Sequence, residues 1–277
     1  MDRFAFAGKT CLITGAASGI GRALALELAG RRCALALVDR DAPGLAAVAA
    51  NGRDRGAADV ESYVVDLADG GDRRDLAQRV LSRHGGVDLL VNNAGVALQG
   101  EFHEVSAADF DWLLEINLHA LVRMTRAFLP QLLDRPGSHV VNISSLFGLI
   151  APPGQVAYAT SKYAVRGFTE ALRHELAGRD VGVTVVHPGG IRTNIATSAR
   201  LSRPDLPAEE RARLRAQADA ALTMPPEVAA RLIVTAVRDR RPRLVITRLA
   251  KIADLLARVT PAHYWAISRR LSRRAMP

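Results

Sequence analysis

Seven short apolar runs alternate with helical patterns along nearly the whole chain, and this repetition constrains the fold more than any other feature. Cys33–Asp39 (CALALVD) is the clearest run: it is apolar throughout instead of every second residue. A continuous run of that kind marks a strand covered on both faces, as in a parallel sheet. Lys9–Thr14, Val60–Val65, Val87–Val91, His139–Ser144 and Val181–His187 read the same way, with Leu244–Ile246 as a last strand. Helical patterns over about 42–51, 70–83, 106–133, 156–178 and 226–238 lie between them. The alternation predicts an α/β fold, with a doubly wound parallel sheet, helices on both faces and right-handed crossovers.

The chain has 277 residues, 49% of them hydrophobic, and no Pro/Gly/Ser-rich linker divides it, so one domain is expected. The N-terminus lacks the apolar core of a signal peptide. The charge-free stretch 140–161 contains Asn142, Ser144, Ser145, Pro152, Pro153 and Gln155, which excludes a bilayer span there. A cytoplasmic location is expected. Cys11 and Cys33 read as buried thiols, and the seven His lack metal-ligand spacing, so no metal is assigned. Arg200–Leu222 reads as a mobile, partly helical insertion whose start is broken by Pro204 and Pro207.

A glycine-rich loop, Thr14-Gly15-Ala16-Ala17-Ser18-Gly19-Ile20-Gly21, joins the first strand to the first helix. Glycines in that context let backbone approach a pyrophosphate, and the helix N-terminus offers N–H groups and partial positive charge. Asp39 closes the second strand, where a carboxylate accepts from ribose hydroxyls and repels a 2′-phosphate. That favours NAD, although Arg40 could pair with the phosphate of NADP. Asp66-Leu67 follows the third strand and Asn92-Asn93-Ala94-Gly95 ends the fourth, so these turns border one crevice.

Tyr158 and Lys162 stand four residues apart on a helical pattern and so share a face. A neighbouring cation stabilises phenolate, which makes a Tyr a general acid/base. The chain writes its cations as 34 Arg and only three Lys (Lys9, Lys162, Lys251), so a compact ammonium at this position is informative.

The ordered set TGAASGIG (14–21), NNAG (92–95), Asn117, Ser145, YATSK (158–162) and PGGIRT (188–193) resembles the classical short-chain dehydrogenase/reductase family from Lys9 to about Thr193. The resemblance implies a Rossmann-like seven-stranded sheet, a nicotinamide dinucleotide and reversible alcohol–carbonyl oxidoreduction. It implies a catalytic set of Asn117, Ser145, Tyr158 and Lys162. Ser145 rather than Ser144 is chosen because the family's serine precedes its tyrosine by thirteen residues. The cofactor-binding set carried over is Gly15, Ser18, Gly19, Ile20, Gly21, Asp39, Arg40, Asp66, Leu67, Asn93, Ala94, Gly95, Tyr158, Lys162, Pro188, Gly189, Ile191 and Thr193. Of these, Ile191 and Thr193 match positions that contact the nicotinamide carboxamide. On this reading Lys162 lowers the Tyr158 pKa, and Asn117 holds a water linking Lys162 to solvent. A homodimer or homotetramer through the helices at 106–133 and 156–178 is also implied.

Val96–Leu98, Leu146–Pro153 and Ile195 border the substrate cleft of the resembled fold, and their apolar character points to a hydrophobic alcohol or ketone. Two alternatives are a 3-oxoacyl-carrier-protein reductase and a catalytically silent dinucleotide-binding protein. The catalytic unit is expected over 1–247. Residues 248–277 add a basic extension of two helices, with Ile252, Leu255, Leu256 and Val259 on one and Tyr264, Trp265, Ile267 and Leu271 on the other. From Arg238 onward there are eleven basic and two acidic residues, which accounts for the whole net charge of +9. That end reads as a lid or packing arm, with contact to an anionic membrane as the alternative; no nucleic-acid motif is present.

Overall fold

In a computed structural model, residues 2–70, 75–203 and 206–275 are described. Its centre is a parallel seven-stranded sheet in the order β3-β2-β1-β4-β6-β7-β9. The strands are β1 Thr10–Thr14, β2 Ala34–Asp39, β3 Asp59–Val64, β4 Leu89–Asn92, β6 His139–Ile143, β7 Gly182–His187 and β9 Arg243–Val245. Strand alternation divides the core. Cys11, Ile13, Leu35 and Leu37 face a layer made by α1 (Gly19–Ala29), α2 (Ala42–Asp54) and α8 (Pro226–Arg238). Leu12, Ala36 and Val38 face α3 (Leu76–His84) and α5 (Ala120–Leu133), the latter through Met124, Phe128 and Leu132. On that second side α6 (Val156–Glu175) packs Leu172 against Val183 of β7. Both faces of the sheet are therefore covered, and its strands are apolar throughout for that reason.

The chain order reverses direction between β1 and β4. A crevice opens there beyond the carboxyl ends of the strands, flanked by the glycine loop and by the NNAG turn. The first turn of the 70–83 helix falls partly on residues outside the described ones, and Leu76–His84 is helical. The pattern over 106–133 is not one regular helix. It is α4 Ala107–Leu114, a π-turn Glu115–His119 and α5. Asn117, within the π-turn, bonds outward to Val96 and Ser161, which compensates the local loss of regular i→i−4 pairing.

The segment read as a partly helical insertion does contain a helix, together with a short strand that was not expected. Arg200–Leu201 (β8) pairs in parallel with Leu98–Gln99 (β5), and Ala208–Ala220 forms α7. Pro204 lies outside the described residues. Two further helices, α9 Arg248–Val259 and α10 Tyr264–Ala275, complete the chain. The side chains of Leu271, Arg273 and Arg274 are likewise outside the description. Cys11 and Cys33 are buried, free thiols. Among the described residues, no helix is long and apolar enough to cross a membrane.

Candidate active site

The glycine loop is jammed against the NNAG turn. Gly15 (φ +66°) and Gly19 (φ +53°) adopt left-handed backbone. A Cβ on Gly21 would lie 2.0 Å from the Gly15 carbonyl oxygen, and one on Gly15 would lie 2.8 Å from Ala94 Cα. Thr14 Oγ1 accepts from the backbone N–H of Asn93 (3.0 Å) and Ala94 (3.1 Å). Asn93 Nδ2 in turn donates to the carbonyls of Thr14 (3.0 Å) and Gly15 (3.1 Å). Two chain segments about eighty residues apart thus form one rigid rim. Ser18 is extended at the N-cap of α1 and makes no side-chain cap bond, while Ile20 packs its side chain into the core. A cradle that only glycine can line, at the start of a helix, fits a pyrophosphate.

Asp39 stands at the end of β2, half-buried. Its carboxylate accepts from Ala17 N (2.9 Å) and Asp41 N (3.1 Å), which fixes it beside the glycine loop. Arg40 is exposed and lies 3.8 Å from Asp66, a carboxylate that also accepts from Ala68 N at 2.8 Å. Leu67 buries its side chain in the core, so only its backbone can border a ligand.

The catalytic candidates converge at the other end of the crevice. Ser145 is extended; its Oγ accepts from Phe147 N at 3.1 Å, and it stands close enough to Tyr158 to influence the phenol. Ser144 instead donates to the Lys162 carbonyl at 2.8 Å and is buried, so geometry as well as spacing separates the two serines. Lys162 Nζ donates to the Ile143 carbonyl at 3.2 Å and lies 5.7 Å from the Tyr158 ring centre. A Cβ on Gly95 would sit 3.2 Å from Asn117 Oδ1 and 3.4 Å from Lys162 Nζ, so NNAG and the catalytic helix share one wall. Asn117 is buried, accepts from Val96 N (2.8 Å) and donates to Val96 O (3.0 Å) and Ser161 Oγ (3.1 Å). Its amide therefore fixes the rim beside Lys162.

Electrostatics depart from the sequence expectation at one point. Burial pushes the Tyr158 phenol above its ordinary value, and the hydrogen bond with Ser145 opposes that rise. Lys162 is itself desolvated, its pKa lowered to about 8, so burial governs both groups.

The 188–193 segment closes the crevice from above. Pro188 O accepts from Leu146 N at 2.8 Å, and a Cβ on Gly19 would lie 3.0 Å from Thr193 Cγ2. Gly189 abuts Ala250 of α9. Ile191 is bridged to Met224 and buried, leaving its backbone for contact. His187 donates through Nδ1 to the Ser145 carbonyl at 3.1 Å; burial lowers its pKa to about 4, so it is a neutral prop behind the serine.

Around Tyr158 gathers an apolar cluster that includes Leu98, Leu113, Phe110, Trp112, Phe147 and Ile195. The Phe147 ring meets Tyr158 edge-on, with centres 6.1 Å apart. Val96–Leu98, Phe147 and Ile195 were expected here. Phe110, Trp112 and Leu113 were not singled out for the cleft, although their place on a helix just before Asn117 is the signal that would have found them. Arg200 was missed as well: it stacks 3.5 Å from the Trp112 ring centre and pairs with Asp109 at 2.9 Å.

Comparisons with known proteins bear on the family and the fold. The family model described as short chain dehydrogenase matches residues 9–204. The protein SadH of Mycobacterium tuberculosis, named as a putative oxidoreductase, is 42% identical over 262 residues, covering 94% of this chain and 93% of that protein. The crystal structure of a short chain dehydrogenase/reductase from Burkholderia phymatum in complex with NAD superimposes with TM-score 0.84 at 32% identity, covering 92% of this chain and 94% of that one. A metagenomic short-chain oxidoreductase in complex with NADP gives TM-score 0.72 at 28% identity, covering 87% of this chain and 98% of that one. The chain belongs to the short-chain dehydrogenase/reductase family of oxidoreductases.

Proposed function

We propose that this protein interconverts a hydrophobic secondary alcohol and its ketone, using NAD in preference to NADP. The observation that carries the reading is the gathering of Ser145, Tyr158 and Lys162, with Lys162 Nζ 5.7 Å from the Tyr158 ring centre and an apolar cluster around the phenol. Bound nicotinamide would supply the hydride acceptor or donor. Gly15, Ser18, Gly19, Ile20 and Gly21 would cradle the pyrophosphate through backbone. Asp39 and Arg40 would meet the adenosine ribose, Asp66 and Leu67 the adenine edge, and Asn93, Ala94 and Gly95 the adjoining strand end. Pro188, Gly189, Ile191 and Thr193 would close over the nicotinamide end.

Within that frame Tyr158 takes the alcohol proton in oxidation and returns it in reduction. Ser145 orients the substrate oxygen toward Tyr158 and stabilises its changing charge. Lys162 holds the nicotinamide ribose hydroxyls, and its charge below about pH 8 favours the phenolate form of Tyr158 against the cost of burial. Asn117 fixes the wall beside Lys162. NAD is favoured because Asp39 is anchored by two backbone donors while Arg40 lies toward Asp66.

We assign the catalytic unit to 1–247 and the accessory arm to 248–277. A homodimer or homotetramer is supported by exposed Leu133, Val156 and Tyr163 on α5 and α6. The test is a screen of nicotinamide absorbance with both dinucleotides against alicyclic, aryl and long-chain alcohols and ketones. Turnover is expected with apolar substrates and NAD; tight dinucleotide binding with no turnover across the panel would overturn the enzymatic reading.

A further inference from the structure

The arm α9–α10 has two faces with opposite fates. The inner face is anchored. Thr247 Oγ1 caps α9 by accepting from Ala250 N, Ala250 is buried, and Asp254 accepts from Arg243 at 2.7 and 2.9 Å. The start of α10 is seated too: Tyr264 Oη accepts from Ala151 N at 2.9 Å, and Trp265 lines a groove with Pro152, Val156 and Tyr163. Among the described residues, nothing covers the outer face of α9. Leu249, Ile252, Leu255 and Val259 recur at helical spacing and are 71%, 64%, 63% and 70% exposed. Asp254 fixes the rotation of the helix, so this stripe cannot turn inward without breaking the pair with Arg243. The inner face of α9 packs on the segment over the crevice, through Ala250 beside Gly189, whereas the exposed stripe faces away from the cleft.

We propose that this stripe inserts into the surface of an anionic lipid membrane. Charge selects that occupant. Asp254 is the only acidic residue from 248 to the end, and it is engaged by Arg243 and Arg258. Arg248 and Lys251 border the stripe and are exposed, and Arg269 and Arg270 are exposed on α10. An amphipathic helix with an apolar face and basic flanks lies in the headgroup plane, and each basic residue adds attraction to anionic lipid. A second copy fits less well, since two-fold pairing of the stripe would bring Arg248 and Lys251 against their own equivalents without acidic partners. The tether from Tyr264 to Ala151 joins this surface to the loop that follows Ser145.

The test is flotation of the full-length protein with vesicles of phosphatidylcholine alone and of phosphatidylcholine mixed with phosphatidylglycerol. Binding is expected to the mixed vesicles only, and to weaken in high salt. Ile252→Asp with Leu255→Asp should reduce it by about tenfold or more, and Arg248→Glu with Lys251→Glu by a comparable factor. These positions are on the surface, so circular dichroism and dinucleotide affinity should stay unchanged. The readout is binding, not turnover, so its outcome is separate from that of the proposed reaction. The proposal is overturned if the wild-type protein does not float with anionic vesicles, or if it floats but the stripe variant floats equally well. It is also overturned if the wild-type fails to float while light scattering shows the stripe variant in a smaller assembly, which would assign the stripe to a second copy.

Discussion

The two halves of the crevice are built in different ways. The dinucleotide half is backbone against backbone: Gly21 against Gly15, Gly15 against Ala94, and Thr14 and Asn93 tying both turns by hydrogen bonds no longer than 3.1 Å. The substrate half is side chain against side chain, with Phe110, Trp112, Phe147 and Ile195 drawn from three separate segments. A ligand with a fixed shape is met by a surface that cannot yield. A variable ligand is met by apolar side chains that can repack. The contrast predicts that small changes on the first side abolish binding, whereas larger ones on the second side only retune it.

Tyr158 sits on the boundary, and removing its hydroxyl should have the largest effect. Tyr158→Phe is expected to lower kcat by about a thousandfold while dinucleotide affinity changes by less than about twofold. Steady-state kinetics and fluorescence titration measure the two separately. Substantial residual turnover would remove the acid/base assignment and with it the boundary itself.

Gly21→Ala tests the unyielding side. With a Cβ 2.0 Å from a carbonyl oxygen, the turn must open, and dinucleotide affinity should fall by roughly a hundredfold. Gly167→Ala on α6 is the control: nothing lies within 4 Å of its added Cβ, so affinity should hold and stability should rise by about 0.5–1 kcal/mol. Equal behaviour of the two variants would refute the claim that packing makes the rim.

Asp39→Ala comes next. It removes a negative charge and two anchoring hydrogen bonds, so the ratio of NAD to NADP efficiency should fall by about tenfold. An unchanged ratio would move cofactor selection to another residue, Arg40 being the nearest.

The same contrast explains what could be read from the residues in advance. The sheet was legible because each strand of a two-faced parallel sheet must be apolar throughout, and Cys33–Asp39 shows this without ambiguity. The glycine loop was legible because positive φ and close approach admit no other residue at Gly15 or Gly19. Choosing Ser145 over Ser144 needed a family spacing, and only the structure gave the reason, in the bond from Ser144 to the Lys162 carbonyl. The π-turn at Asn117 was hidden because one extra residue in a helix is stabilised by tertiary bonds, here from Val96 and Ser161, and not by local propensity. The β5–β8 pair was hidden because two-residue strands carry no period. The sign of the Tyr158 shift was misjudged because spacing reveals the cation but not the burial of both groups. The apolar stripe of α9 was visible, but the direction it faces depends on Asp254 meeting Arg243, eleven residues earlier on β9, a pairing that no helical period announces.

Arg200 offers the finest probe of the yielding side. Its backbone N–H donates to Ala97 O at 3.0 Å, its guanidinium pairs with Asp109 and stacks on Trp112, and these bonds clasp the segment after Thr193 against the cluster. Both charged side chains are substantially exposed, so the ion pair contributes at most about 1 kcal/mol, and the cation–π contact adds about 0.5–1 kcal/mol. Arg200→Ala leaves the backbone pairing of β8 with β5 in place, since that pairing uses no side chain. The clasp should loosen without unfolding. KM for the apolar substrate is then expected to rise by about three- to tenfold, with kcat and the affinity for NAD within about twofold, because no atom of Arg200 belongs to the dinucleotide rim. A matching fall in dinucleotide affinity would show the two halves of the crevice to be mechanically one.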